Sequence, residues 1–113
     1  MIQLQVLNKI LATKDASIIT MNNLDSTFFS DYRKEFNFIQ EHIKQYGQVP
    51  DYETFLNTFD NFTVINVGEV DSYLLSELFK DKNTRTLATT FNKIRELITE
   101  GRVEDAMSVY TTS

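Results

Sequence analysis

The chain has 113 residues, 42% hydrophobic and 12% aromatic, which is enough to fill the core of one domain. A net charge of -5 argues against nucleic-acid binding through phosphates, since phosphate-gripping domains are basic. No cysteine is present, which excludes disulfide scaffolds and cysteine-based metal sites, and three glycines with one proline leave too little punctuation for a many-stranded sheet.

Residues 2–13 place Ile2, Val6, Leu7, Ile10 and Leu11 on one side, with Gln3, Asn8 and Lys9 elsewhere, the pattern of an amphipathic helix. Asp15 to Met21 carries Ile18 and Ile19 and reads as a short helix or turn. Leu24 precedes Asp25 and Ser26, a candidate N-cap pair, and Phe28 and Phe29 follow. The next helix is predicted from about Ser30 to Tyr46, with Tyr32, Phe36, Ile39 and Ile43 buried and Arg33, Lys34, Glu41 and Lys44 in water. Gly47 stops it, because glycine tolerates the left-handed conformation of a helix C-terminus. Pro50 and Asp51 then open a short helix whose Phe55, Leu56 and Phe59 point inward, with Asp51 as N-cap. Asn61 to Gly68 is β-branched but interrupted, so an extended connector or one edge strand is expected.

The last third is predicted as two helices. Val70 to Phe79 carries a wide apolar arc, Asp81, Lys82 and Asn83 read as a polar turn, and Thr84 to Glu100 carries a narrower stripe at Leu87, Phe91, Ile94 and Ile98, joined by Leu97. Gly101 ends that helix, and Val103 to Tyr110 makes a final short one. The expected fold class is therefore all-α: a small helical bundle over residues 1–68, then an antiparallel helical hairpin and terminal helix over residues 69–113, in a single domain. The narrow stripe either reaches past the core to meet a partner or lies across the core and is buried there; the pattern does not choose.

Little in the chain points to a reaction. No stretch resembles a phosphate-binding loop, so nucleotide hydrolysis by this chain is not expected. The single histidine, His42, sits off the main apolar side of its helix and has no second His or Cys to share a metal. Acidic pairs at Asp51 and Glu53, Glu69 and Asp71, and Glu104 and Asp105 each lie near a helix start, where the dipole favours negative charge. The basic group Lys80, Lys82 and Arg85 lacks interleaved aromatics for base stacking. No apolar run approaches the ~20 residues that cross a bilayer, and Met1 to Val6 lacks the basic start of a signal peptide. A cytoplasmic protein without cofactor, metal, membrane or direct nucleic-acid partner is expected.

Several of these residues, in their order and spacing, carry a resemblance. They are Leu24-Asp25-Ser26-Thr27-Phe28-Phe29; then Phe36, Ile39, Ile43, Gly47, Val49, Pro50 and Asp51; then Phe55-Leu56; then Tyr73-Leu74-Leu75-Ser76-Glu77-Leu78, with Arg95 and Leu97 on the long helix. The chain resembles, from about Leu4 to Tyr110, the N-terminal domain of DnaB-type replicative DNA helicases, particularly phage versions. The resemblance implies a helical bundle followed by a hairpin. Hairpins pair between subunits, three pairs form a collar on a hexameric ring, and the collar docks primase or a helicase loader.

By the same resemblance, ATP and Mg belong to a separate RecA-type motor domain that the 113 residues do not contain, so this chain would contribute assembly and recruitment rather than catalysis. Phe29, Phe36, Ile39, Ile43 and Phe55 fall at core positions, and Leu75, Phe79, Leu87, Phe91 and Ile94 are the candidates for subunit pairing. The competing reading is a stand-alone acidic helical adaptor that binds a replication or transcription protein.

Overall fold

The computed structural model describes residues 1–99, and these form helices and connectors with no strand among the described residues. The order is α1 (Ile2–Thr13), α2 (Ser17–Thr20), a 3₁₀ turn at Ser26–Phe29, α3 (Arg33–Tyr46), α4 (Tyr52–Thr58) and α5 (Asp71–Thr99). The chain divides into two compact units, Met1–Phe79 and Lys80–Ser113, and the boundary falls within α5.

In the first unit α1 is the central element. Val6, Leu7, Ile10 and Leu11 are buried, and so are two polar residues of the same helix, Gln3 and Asn8. Both amides are satisfied, which is the condition for burying them. The Gln3 side chain donates to the Ser30 hydroxyl at 3.1 Å and accepts from the Asp31 amide at 3.0 Å, tying α1 to the turn that leads into α3. Asn8 spends both N–H bonds on carbonyls, Leu4 at 2.9 Å and Thr63 at 3.1 Å. Its Oδ1 accepts from the Ile65 amide at 3.0 Å and from the Tyr52 hydroxyl at 2.8 Å. One side chain thus joins α1, α4 and the connector. Residues 60–70 run as an extended connector without strand pairing, and Asn8 supplies the partners that a neighbouring strand would otherwise give.

The corner predicted around Gly47 is present. Gly47 adopts φ 76° at the C-terminus of α3 and its amide donates to the Ile43 carbonyl. Asp51 stands at the N-cap position of α4, but its carboxylate makes no capping bond and pairs instead with Lys14. Lys14 itself ends α1 in the left-handed conformation, φ 54°. Asp25 does cap its turn, accepting from the Thr27 amide at 3.0 Å.

Aromatic packing fills the space between α3, α4 and the connector. Phe29 stacks on Phe36 at 4.6 Å, and Phe55 meets Phe38, Phe59 and Phe62 at 5.9, 4.9 and 4.8 Å. Such pairs contribute roughly 0.5–1.5 kcal/mol each beyond burial. Of the core positions expected from the resemblance, Phe29, Phe36, Ile39 and Phe55 are fully buried, and Ile43 is partly buried against them. Tyr32 precedes α3 rather than lying in it, and α3 begins at Arg33, three residues after the predicted start.

The turn predicted at residues 81–83 is corrected. Asp81, Lys82 and Asn83 form no turn; they lie inside α5, one helix of 29 residues, about 43 Å long at 1.5 Å per residue. The physical reason is local. No glycine or proline interrupts residues 71–99, and the three polar residues are tolerated in a helix at a few tenths of a kcal/mol each. Arg85 also pairs with Asp81 one turn earlier, Nη2 to Oδ2 at 3.1 Å, which favours the helix over the turn. The predicted stop at Gly101 and helix at Val103 to Tyr110 lie outside the described residues.

Two substitutions test this account. Asn8→Ala leaves the Thr63 carbonyl and the Ile65 amide short of a partner, while the Tyr52 hydroxyl keeps the Asn8 main-chain carbonyl at 3.0 Å; it is expected to cost about 2–3 kcal/mol in denaturant unfolding. Gly47→Ala meets nothing within 4 Å of the added Cβ, so its cost is conformational alone. About 1–2 kcal/mol is expected, with Gly47→Asn losing less because asparagine enters the left-handed region more readily.

Candidate interaction surface

α5 is rich in polar residues that usually compete with a helix, and three threonines resolve that competition on the helix itself. Thr89, Thr90 and Thr99 each donate a hydroxyl to the carbonyl one turn back, those of Arg85, Thr86 and Arg95, at 2.8–3.0 Å.

The five pairing candidates divide between the two units. Leu75 and Phe79 belong to the first. Leu75 is partly buried against the core, beside the buried Leu74 and Leu78. Phe79 meets Phe28 edge-on at 5.0 Å while keeping 38% of its surface exposed. Leu87, Phe91 and Ile94 belong to the second. Leu87 and Phe91 are 55% and 56% exposed, Ile98 is 54% exposed, and Ile94 is intermediate. Residues 87, 91, 94 and 98 follow a 4-3-4 spacing, which puts them along one side of the helix. Leu97, off that line, is buried. Among the described residues, then, the stripe at Leu87, Phe91 and Ile98 is presented outward rather than spent on the core.

Chemistry is sparse elsewhere. No group of three or more His, Cys, Asp or Glu is placed to hold a metal ion among the described residues. His42 is partly exposed, with Nδ1 2.8 Å from the Gln48 carbonyl. A carbonyl only accepts, so this nitrogen carries the proton and the ring serves to bind the Gly47 corner. Asp51 and Asp71 stand at the starts of α4 and α5, as the helix dipole favours, and Oδ1 of Asp71 is buried without a hydrogen-bond partner. Glu104 and Asp105 lie outside the described residues. Lys80, Lys82 and Arg85 sit on α5 rather than in a loop. No described helix is long and apolar enough to cross a membrane.

Two features escaped the sequence reading. Gln3 and Asn8 carry no signal of burial, because the partners that tie them to other elements lie 27 or more residues away. Phe38 sits one position off the expected apolar line of α3 and is recruited by Phe55 and Phe59.

The sequence matches no family model, and comparison with curated proteins and with solved structures found no match.

The exposed pair Lys14–Asp51 gives a measurable electrostatic signature. The Lys14 ammonium bonds to the Asp51 carboxylate and, by that bond and its charge, lowers the Asp51 pKa from its ordinary 3.8. A depressed carboxylate pKa stabilises the fold above the ordinary value, and that contribution is lost as pH falls through the folded one. Carboxyl-detected NMR titration is expected to place Asp51 below 3.8, and Lys14→Met to return it toward 3.8.

Proposed function

We propose that this chain is an assembly and docking domain that pairs with a copy of itself along α5. We place it as the N-terminal domain of a hexameric DnaB-type replicative DNA helicase, serving DNA replication by collar formation and by docking primase or a loader. The observation that carries the pairing is the outward stripe of Leu87, Phe91 and Ile98, each more than half exposed. Alternating steps of four and three are those by which two helices interlock side chains along a seam. Burial of a phenylalanine and its aliphatic neighbours against a partner supplies the hydrophobic gain that exposure forgoes.

The helicase reading draws on the order of the core residues: Leu24 to Phe29, then the Phe36–Ile39–Gly47–Pro50–Asp51 corner, then Phe55, then Leu74 and Leu78. Leu24, Phe28, Phe29, Phe36, Ile39, Phe55, Leu74 and Leu78 contribute apolar packing, Asp25 caps its turn, and Gly47, Pro50 and Asp51 shape the corner between α3 and α4. Because α5 is a single helix through the position expected to turn, the proposed seam is the α5 stripe from Leu87 to Ile98. ATP hydrolysis is assigned to a separate RecA-type motor, and the chain itself to recruitment and assembly.

Sedimentation equilibrium at rising concentration tests the pairing. Self-association is expected, and Phe91→Asp is expected to weaken it about 30-fold, the effect of losing ~2 kcal/mol at an interface anchor. Its melting temperature should stay close to that of the parent, since exposed substitutions stay within about 0.5 kcal/mol. A strict monomer at high concentration removes the pairing. A tagged chain in its own host is expected to retain a RecA-type ATPase and a primase, and recovery of neither removes the helicase assignment in favour of the adaptor reading.

A further inference from the structure

Apart from α5, the first unit holds an open cavity of about 380 Å³ between the start of α3 and the turn that follows α4. That volume lies at the small end of ligand pockets. Three aromatic rings, Tyr32, Phe59 and Phe62, and two carboxylates, Glu35 and Asp60, line it. The rings are fixed from behind: Phe59 and Phe62 rest on the buried Phe55 at 4.9 and 4.8 Å, and Tyr32 meets Phe62 nearly at right angles at 6.1 Å. Each of the three is only partly buried, so ring surface is left facing the opening. Neither Glu35 nor Asp60 makes a hydrogen bond or an ion pair through its side chain, among the described residues, although Arg33 and Lys34 are neighbours of Glu35 in sequence.

We propose that this cavity binds an arginine side chain from a basic segment of a partner protein. The chemistry selects the ligand step by step. Aromatic faces are electron-rich and attract a cation laid over them. Two uncompensated carboxylates add charge of the matching sign, and they repel phosphates, so a nucleotide or nucleic acid is disfavoured. Guanidinium fits this combination better than ammonium. It is planar and weakly hydrated, it stacks on a ring with its face, and it offers a fork of N–H donors to a carboxylate at its edge. The site stands on residues that the α5 pairing does not use, so it holds whether or not two copies associate.

Two-dimensional amide NMR on the whole chain tests the proposal, with the tripeptide glycyl-arginyl-glycine as probe. Saturable shifts confined to the amides around Tyr32, Glu35 and residues 58–63 are expected. The double variant Glu35→Gln, Asp60→Asn alters two side chains that make no bonds, so it is expected to keep the fold, and to weaken binding about tenfold as each exposed charge contact is lost. The peptide with neutral citrulline in place of arginine should not bind, and the lysine peptide and tetramethylammonium should bind more weakly than arginine. Absence of saturable shifts, equal binding by the double variant, or equal binding of citrulline overturns the site. Tighter binding of lysine or tetramethylammonium overturns the assignment to arginine.

Discussion

A carboxamide buried in an apolar helix costs several kcal/mol unless every donor and acceptor finds a partner, and Asn8 meets that condition through four separate bonds. The first unit is organised around this requirement. The connector after α4 has no strand beside it, so its carbonyl at Thr63 and its amide at Ile65 turn to Asn8. Tyr52 brings α4 to the same group, and burial raises its pKa above the ordinary 10.0, which keeps the hydroxyl proton in place to donate. Gln3 repeats the device five residues earlier and locates the entry to α3. Apolar contacts provide most of the favourable energy, but they are non-directional; the two amides fix which backbone segments lie against α1.

That arrangement also positions what faces outward. Holding the connector against α1 places Phe59 and Phe62 on Phe55, and the rings of the cavity are thereby set before any ligand arrives. α5 is anchored at its start by Leu74 and Leu78 in the core. Beyond the unit boundary its exposed apolar residues keep a 4-3-4 spacing along the continuing helix. The same sequence thus separates residues that build the fold from residues free to meet other molecules.

The legible parts were those with local causes. The α3–Gly47–α4 corner was readable because a left-handed glycine, a proline and an acidic N-cap position each act within a few residues, and the apolar lines of α1 and α3 obey the helical period. The turn at residues 81–83 was misread for a reason of the same kind. Asp81, Lys82 and Asn83 are polar, as turns are, yet each is also compatible with a helix, and the Asp81–Arg85 pair tips the balance. Burial of Gln3 and Asn8 was not readable, since polar residues are placed outward by default and their partners are set by tertiary structure. Of the proposed surfaces, the α5 stripe was visible as periodicity. The cavity was not, because Tyr32, Glu35 and the residues near Asp60 meet only once α3 and α4 are packed.

The connector has one further consequence. It is a strap of backbone with no regular structure, held to the helix beneath it by Asn8 at Thr63 and Ile65 and by Lys9 at the Glu69 carbonyl, all from two adjacent side chains. Beyond those few bonds only Phe62 and Val67 pack the strap against the core, and both are partly buried, so lifting it requires less than global unfolding. A protease should therefore nick the chain there first, and the two fragments should stay together afterwards, because Leu74 and Leu78 on the far side of the cut remain embedded with Val6 and Ile10.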